Sequence, residues 1–520
     1  MELSFETRPV RYLGHILHET GRQEETVEVI VPDSCPDVER VVFASASALL
    51  RGTECRAGSV LISGGIRASA LCVPEDGTSP QKLDAYLPFS LRMEHTAIAE
   101  RAQVFPELFV RQADARLVNS RKILFRVDLG CTLDGYEQKE LTVYALQSPP
   151  QQLQLRTQTY PVLLPTETSE KSFTLSDELE LPSGRAQPTE ILSYETRPEV
   201  TDCKVVGSKA VFKGNLCLHV LYRNAEGGLG VGERQLPFSQ FCDLTGDYEQ
   251  AQMDAQVVVT SAELELDASD AHRLLLSVGM TAQCVVSDTL TLTLTEDAYA
   301  VGAVLEPEWT QYDLECRLDR QTLRDAVRQQ IGGEIAGVVD TAVYLDAPYL
   351  ERDGGAMRVK APMTLRVLYQ DASGALQGTA VKSEAAVETA LCENARCFAS
   401  AFACGSSVQA AADGAEARTE VTFRLSCSAA QQLQTLSGGT LEHRARSGAA
   451  LRRPARTARQ GERLGDRQAV RHDGAGCEGG ESSGLRACGG GAAPADPDVR
   501  CKMVRPDFGQ AARFSGNGKA

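Results

Sequence analysis

The chain has 520 residues, 42% of them hydrophobic and 24% charged, which is ordinary for a globular protein of roughly three domains. The formal net charge of −17 hides an asymmetry: residues 441–520 hold 15 Lys+Arg and 9 Asp+Glu, which leaves 38 basic and 61 acidic residues, net −23, in 1–440. An acidic body excludes nucleic acid and an anionic membrane as its direct partners.

The start, MELSFETRPVRYLGHILHE, lacks a basic n-region followed by an apolar h-region, so no signal peptide is expected. No run of about 18 apolar residues occurs, so no membrane insertion is expected either. His15 and His18, in HILHE, stand three apart, a spacing that can put two metal ligands on one helix face. The segment has neither the H-E-x-x-H nor the H-x-x-E-H order of a zinc protease, and we read it as a solvated face.

Further along, the chain repeats itself. LPFS occurs at 87–90 and again at 236–239, 149 residues later. Upstream of each lies an apolar run with an early glycine, VLISGGIRASALCV (60–73) and AVFKGNLCLHVLYRN (210–224); Gly64 and Gly214 are 150 apart. A third copy is MRVKAPMTLRVLYQD (357–371), whose Leu368-Tyr369 lies 147 after Leu221-Tyr222. A later run also recurs, as RKILFRVDLGC (121–131), RLLLSVGMTAQC (273–284) and RTEVTFRLSC (418–427). PDSCPDVERVV (32–42) likewise corresponds to PSGRAQPTEIL (182–192). The third copy is the most diverged, with AVKSEAAVE (380–388) in place of LPFS.

Within each copy the apolar period is two. In LCLHVLYR, Leu216, Leu218, Val220 and Tyr222 share one face, and Cys217, His219, Leu221 and Arg223 the other, which makes His219 a surface residue. TLTLTLTEDAY (289–299) alternates with Leu inward and Thr outward. Hairpin turns are expected at EDGTSP (75–80), RNAEGGLG (223–230) and QDASGA (370–375). One helix is expected, over LDRQTLRDAVRQQIGG (318–333), where Leu318, Leu323, Ala326 and Val327 fall near helical spacing before a glycine stop. The fold class that follows is mainly β: three tandem β-sandwich-like repeats at 1–155, 160–302 and 305–435, then a disordered tail over 436–520.

Chemistry is sparse. The seven histidines (His15, His18, His95, His219, His272, His443 and His472) form no recognised catalytic motif. The 16 cysteines never form CxxC, and many sit inside apolar strands, as buried reduced thiols do. GGLGVGE (227–233) is followed by no Lys-Ser/Thr and no helix, so it is a turn and not a phosphate cradle. No catalytic, cofactor-binding or metal residue is assigned, and no enzyme is expected.

The order PDxxR-V, glycine strand ending VLYR, turn, LPFS resembles the SPOCS domain of SipL-like proteins of spore-forming Firmicutes. VPDSCPDVERVV (31–42), FKGNLCLHVLYRN (212–224), ERQLPFSQFCDL (233–244) and MTLRVLYQD (363–371) carry the likeness, over about 1–435. The resemblance implies a non-enzymatic scaffold in spore coat or envelope morphogenesis. It implies work in the mother-cell cytoplasm at the forespore surface, beside a coat-basement ATPase of the SpoIVA type. The alternative is a cell-envelope protein that binds peptidoglycan, since such proteins commonly end in a LysM domain.

No LysM domain is written here, but a frame shift brings one into view. Back-translated and shifted by one base, 464–482 permits W-E-I-A-K-R-Y-D-T-T-V-Q-A-V-K-A-A-N, similar to the LysM pattern. In the same frame 494–498 permits L-L-I-P-M, a typical LysM close. From 441 on there is no Ile, Tyr or Trp, and 13 Arg stand against 2 Lys, the bias an out-of-frame GC-rich gene produces. The tail is therefore expected to be the remnant of a lost LysM domain, with peptidoglycan a partner only if that domain were intact.

Overall fold

The computed structural model describes residues 1–180, 187–270, 272–353, 356–390, 395–411 and 414–443. The tail reading over 444–520, frame shift included, lies outside them. Met1–Arg446 form one compact unit. Every element within it is a β-strand, and no α-helix occurs among the described residues.

Two antiparallel sheets recur in each third of that unit. In the first third they are built from β1 (Phe5–Ile30), β2 (Val38–Arg56), β3 (Ser59–Pro74), β4 (Gln81–Glu94), β5 (Gln103–Asn119) and β6 (Lys122–Leu146). The sheets run β1-β6-β5 and β2-β3-β4, and they pack face to face through β2 on β5 and β1 on β4. The second third has β7 (Leu153–Glu180), β8 (Pro188–Asn224), β9 (Leu229–Tyr248), β10 (Gln252–Leu266) and β11 (Arg273–Ala300), with orders β10-β11-β7 and β8-β9. The long β8 folds back on itself about Gly207, whose φ of +59° suits a turn: Thr201 Oγ1 donates to the Lys213 carbonyl and Thr189 Oγ1 to that of Arg223.

The last third has β12 (Ala303–Gly332), β13 (Gly337–Leu345), β14 (Tyr349–Asp353), β15 (Ala356–Gln370), β16 (Leu376–Thr389), β17 (Arg396–Phe402), β18 (Ser406–Ala411) and β19 (Gly414–His443). Here β13 and β14 share one side of β15, and β17 and β18 share one side of β19. Two strands of the earlier pattern are thus each broken in two.

The repeated Gly and LPFS landmarks have a packing cause. Gly64 pairs with Phe89 across β3–β4, and Gly214 pairs with Phe238 across β8–β9. Each phenylalanine ring lies over the bare glycine, where a Cβ would overlap both the ring and a neighbouring carbonyl oxygen, that of Leu49 or Glu199. In the diverged copy the same rung is Ala361 opposite Ala385, both fully buried. Gly214→Ala is expected to destabilise the chain by about 3 kcal/mol, from overpacking against rigid backbone. Urea denaturation checks this, with Gly228→Ala, in a turn, as control.

Three expectations need correction. Residues 318–333 are not a helix but the second half of β12, paired with β19 as far as Gly332 opposite Gly414. The inward row is Gln321, Leu323, Asp325, Val327, Gln329 and Ile331, a period of two hidden by its polar members. β16 supplies partners to this row: Thr389 Oγ1 donates to Gln321, the Ala386 amide to Asp325, and Gln329 Nε2 to Ser383 Oγ at 2.7 Å. Tertiary pairing overrides the local helical spacing, and Leu318 bulges out of the ladder, 49% exposed. Secondly, the strand of the last unit does not stop at 435. β19 continues to His443 opposite Ala303, with Leu436 and Leu441 buried, so 436–443 are ordered strand. Thirdly, LCLHVLYR is buried on both faces: Cys217 and Leu221 are as covered as Leu216 and Val220.

The first and last strands of each third make a two-stranded ribbon, and the three ribbons pack on one another. Leu141, Leu164, Leu292, Leu294, Tyr312 and Leu314 form part of one shared apolar column. Leu3, Leu153 and Leu436 close its end, where the Leu3 amide donates to the Gly439 carbonyl and ties the start of β1 to β19. Arginines stitch the thirds elsewhere. Arg67 donates to the Ala262 and Tyr194 carbonyls, and Arg197 to those of Ala403 and Val343.

Candidate functional site

Beyond the apolar column the ribbons diverge around a cleft of about 200 Å³ lined from all three thirds. His15 and His18 enter it from β1. Three apart on a regular strand, they would point to opposite faces. A bulge between His15 and Leu17 leaves Ile16 without a rung, and the extra residue returns both imidazoles to one face. Asp134 stands opposite His18 on β6. Its Oδ1 accepts from His18 Nδ1 at 2.7 Å and from His15 Nε2 at 3.0 Å. The two histidines therefore converge on one carboxylate oxygen; they are not the solvated face expected from HILHE.

Aromatic rings fix the imidazoles. Phe398, from β17, lies 4.4 Å from the His18 ring and 4.8 Å from the His15 ring, and Tyr136 lies 5.1 Å from His15. Burial alone would raise the Asp134 carboxyl, but the two imidazole hydrogen bonds outweigh it and hold it at about 2. Glu107 on β5, opposite Thr132, faces the same cleft. Burial first, and then the charge of Asp134, push its carboxyl up. The cationic residues of the cleft are engaged on its other side: Arg317 and Arg320 pair with Asp254, and Arg424 with Glu199.

His219 is not a surface residue. Its Nε2 lies 2.6 Å from the buried Asp340 carboxylate on β13 and its Nδ1 3.2 Å from Glu233 on β9. His95 lies 3.8 Å from Glu19. Of the cysteines described, Cys72, Cys131, Cys217, Cys242, Cys284, Cys316 and Cys427 are buried and Cys404 is exposed. Burial pushes the Cys72 and Cys131 thiols up to about 12, which keeps them protonated and unreactive. Sequence reasoning missed Asp134, Glu107 and Asp340. Asp134 becomes visible only with the bulge, and a bulge leaves no mark in HILHE.

Such a fold, stacked antiparallel sheets on a three-ribbon core, defines an all-β protein. Residues 187–267 match the family model described as SipL, SPOCS domain; no curated protein and no solved structure matches the chain. That segment is therefore similar to the SPOCS domain of SipL-like proteins. The match spans β8 to β10 and contains both Gly214 and Phe238.

Proposed function

We propose that the protein is a non-enzymatic scaffold in spore coat or spore envelope assembly, built from three SPOCS-type repeats that dock partner proteins. The SPOCS match at 187–267 points to a sporulation-related protein and is the observation that carries this reading. The strand orders 1-6-5 and 2-3-4, repeated in each third, support extending the domain from the matched segment to its neighbours. The outer face of β4, with Asp84, Tyr86, Arg92 and Glu94 exposed, is the kind of mixed polar and aromatic surface that protein partners use. No helix among the described residues is long and apolar enough to cross a membrane.

The partner we propose is a coat-basement ATPase of the SpoIVA type on the mother-cell side of the forespore. Surface plasmon resonance between the purified full chain and such an ATPase tests it. Saturable binding is expected, and Tyr86→Ala with Arg92→Ala should weaken it by roughly tenfold or more if β4 is the docking face. Failure of the full chain to bind would remove this partner. Peptidoglycan pull-down by a chain with its frame restored, with no ATPase binding, would favour the envelope reading instead.

A further inference from the structure

We propose that His15, His18 and Asp134 form a binding site for a divalent transition-metal ion of the zinc class. One ligand atom from each of His15, His18 and Asp134 lies within 4.8 Å of the others, and His15 Nε2 and His18 Nδ1 both face Asp134 Oδ1. Tetrahedral zinc with bonds of about 2.0–2.2 Å spaces its ligands about 3.3–3.5 Å apart. The present separations of 3.0 and 2.7 Å need only a small opening to admit the ion.

The donor chemistry is selective. Two imidazoles and a carboxylate suit zinc and its borderline neighbours over calcium or magnesium, which prefer all-oxygen shells. Among the described residues no thiol lines the cleft. Asp134 and Glu107 bring two carboxyl groups to the same cleft. The arginines that would repel a cation are paired with Asp254 and Glu199. The site is also built. The Ile16 bulge aims His15, and Phe398 packs on both rings and holds them in place, as the surroundings of metal-bound histidines do.

Cobalt(II) is the probe, because its visible spectrum reports its ligands. The chelator-stripped full chain, with its cysteines kept reduced, is titrated with cobalt chloride. One equivalent is expected to give a visible d–d band with no near-ultraviolet thiolate charge-transfer band, and zinc is expected to displace it. His15→Gln/His18→Gln should weaken uptake by more than about 100-fold, beyond the loss of an outer-shell partner. His219→Gln and Cys404→Ser should leave it unchanged. Circular dichroism shows whether each variant keeps its β-sheet signal. Asp134→Asn, which retains hydrogen bonding to the imidazoles, provides a second loss-of-binding variant should the double one unfold. Three results overturn the proposal: no cobalt uptake by the wild-type chain, a thiolate band, or a d–d band that survives in folded His15→Gln/His18→Gln.

Discussion

Arg111→Ala should lower the stability of the chain by about 3 kcal/mol, the scale seen when one partner of a buried ion pair is deleted. Arg111, on β5, donates to both oxygens of Asp346, Nε to Oδ1 at 2.8 Å and Nη2 to Oδ2 at 2.5 Å, and a third nitrogen donates to Asp128 at 2.5 Å. Both Arg111 and Asp346 are largely buried, at 19% and 15% side-chain exposure. Asp346 follows β13, so the pair ties the first third of the fold to the last. Removal strands a desolvated carboxylate that only the more distant Arg22, at 3.4 Å, and the Ala347 amide can serve. Arg111→Lys should recover part of the loss, because an ammonium offers a point charge where the guanidinium offers a fork. Urea denaturation gives the size. Hydrogen exchange gives the place, with amides around 345–348 and in β5 losing protection first.

The pH dependence carries a definite sign. Burial would raise the Asp346 carboxyl, but the Arg111 and Ala347 hydrogen bonds and the Arg111 and Arg22 charges together outweigh it and hold it below its ordinary value. A group lowered in the folded state stabilises above its unfolded pKa, near 4, and that contribution disappears as pH falls through the folded value. Wild type and Arg111→Ala should therefore differ fully at pH 6 and converge in acid. A difference that stays constant down to pH 2 would mean that Arg111 acts by packing alone.

What the residues disclosed in advance divides along the reach of the forces. Strand periodicity is local and depends on burial of alternate residues, so Leu292 and Leu294 inward with Thr291 and Thr293 outward could be read directly. The Gly64 and Gly214 landmarks were legible as a repeat but not as packing, because the ring above each glycine comes from the next strand. β12 was misread since its inward Gln321, Asp325 and Gln329 are explained only by β16, more than fifty residues later. The His15–His18–Asp134 cluster failed for a similar reason. One bulged residue reverses the face of His15, and the carboxylate that meets it is 119 positions away. The absence of sequence motifs said nothing about groups that the sheets bring together.

His219→Ala should cost about 3–5 kcal/mol at pH 7, because Asp340 is left 2% exposed with no cation. Burial alone would lower the His219 pKa, but the Asp340 and Glu233 hydrogen bonds more than reverse it, raising it to about 10. The other charged groups facing this groove are Glu195, Arg234, Arg418 and Glu420, with the Cys404 thiol beside them. For a group raised on folding, stability is fully present below the unfolded pKa of about 6.5 and is lost as pH rises through the folded value. The wild-type chain should thus lose on the order of 1 kcal/mol between about pH 6.5 and 7.5, before tyrosines and unfolded thiols titrate. His219→Gln keeps a donor for Asp340 but cannot titrate. Its stability should be lower than wild type at pH 6.5 and change less up to pH 7.5, so the two denaturation midpoints approach each other as pH rises. Parallel curves would show that His219 is neutral in the folded chain. Because β8 carries His219 and β13 carries Asp340, convergence would also identify the protonated imidazole as a clasp between the second and last thirds, in a body whose net charge is otherwise strongly negative.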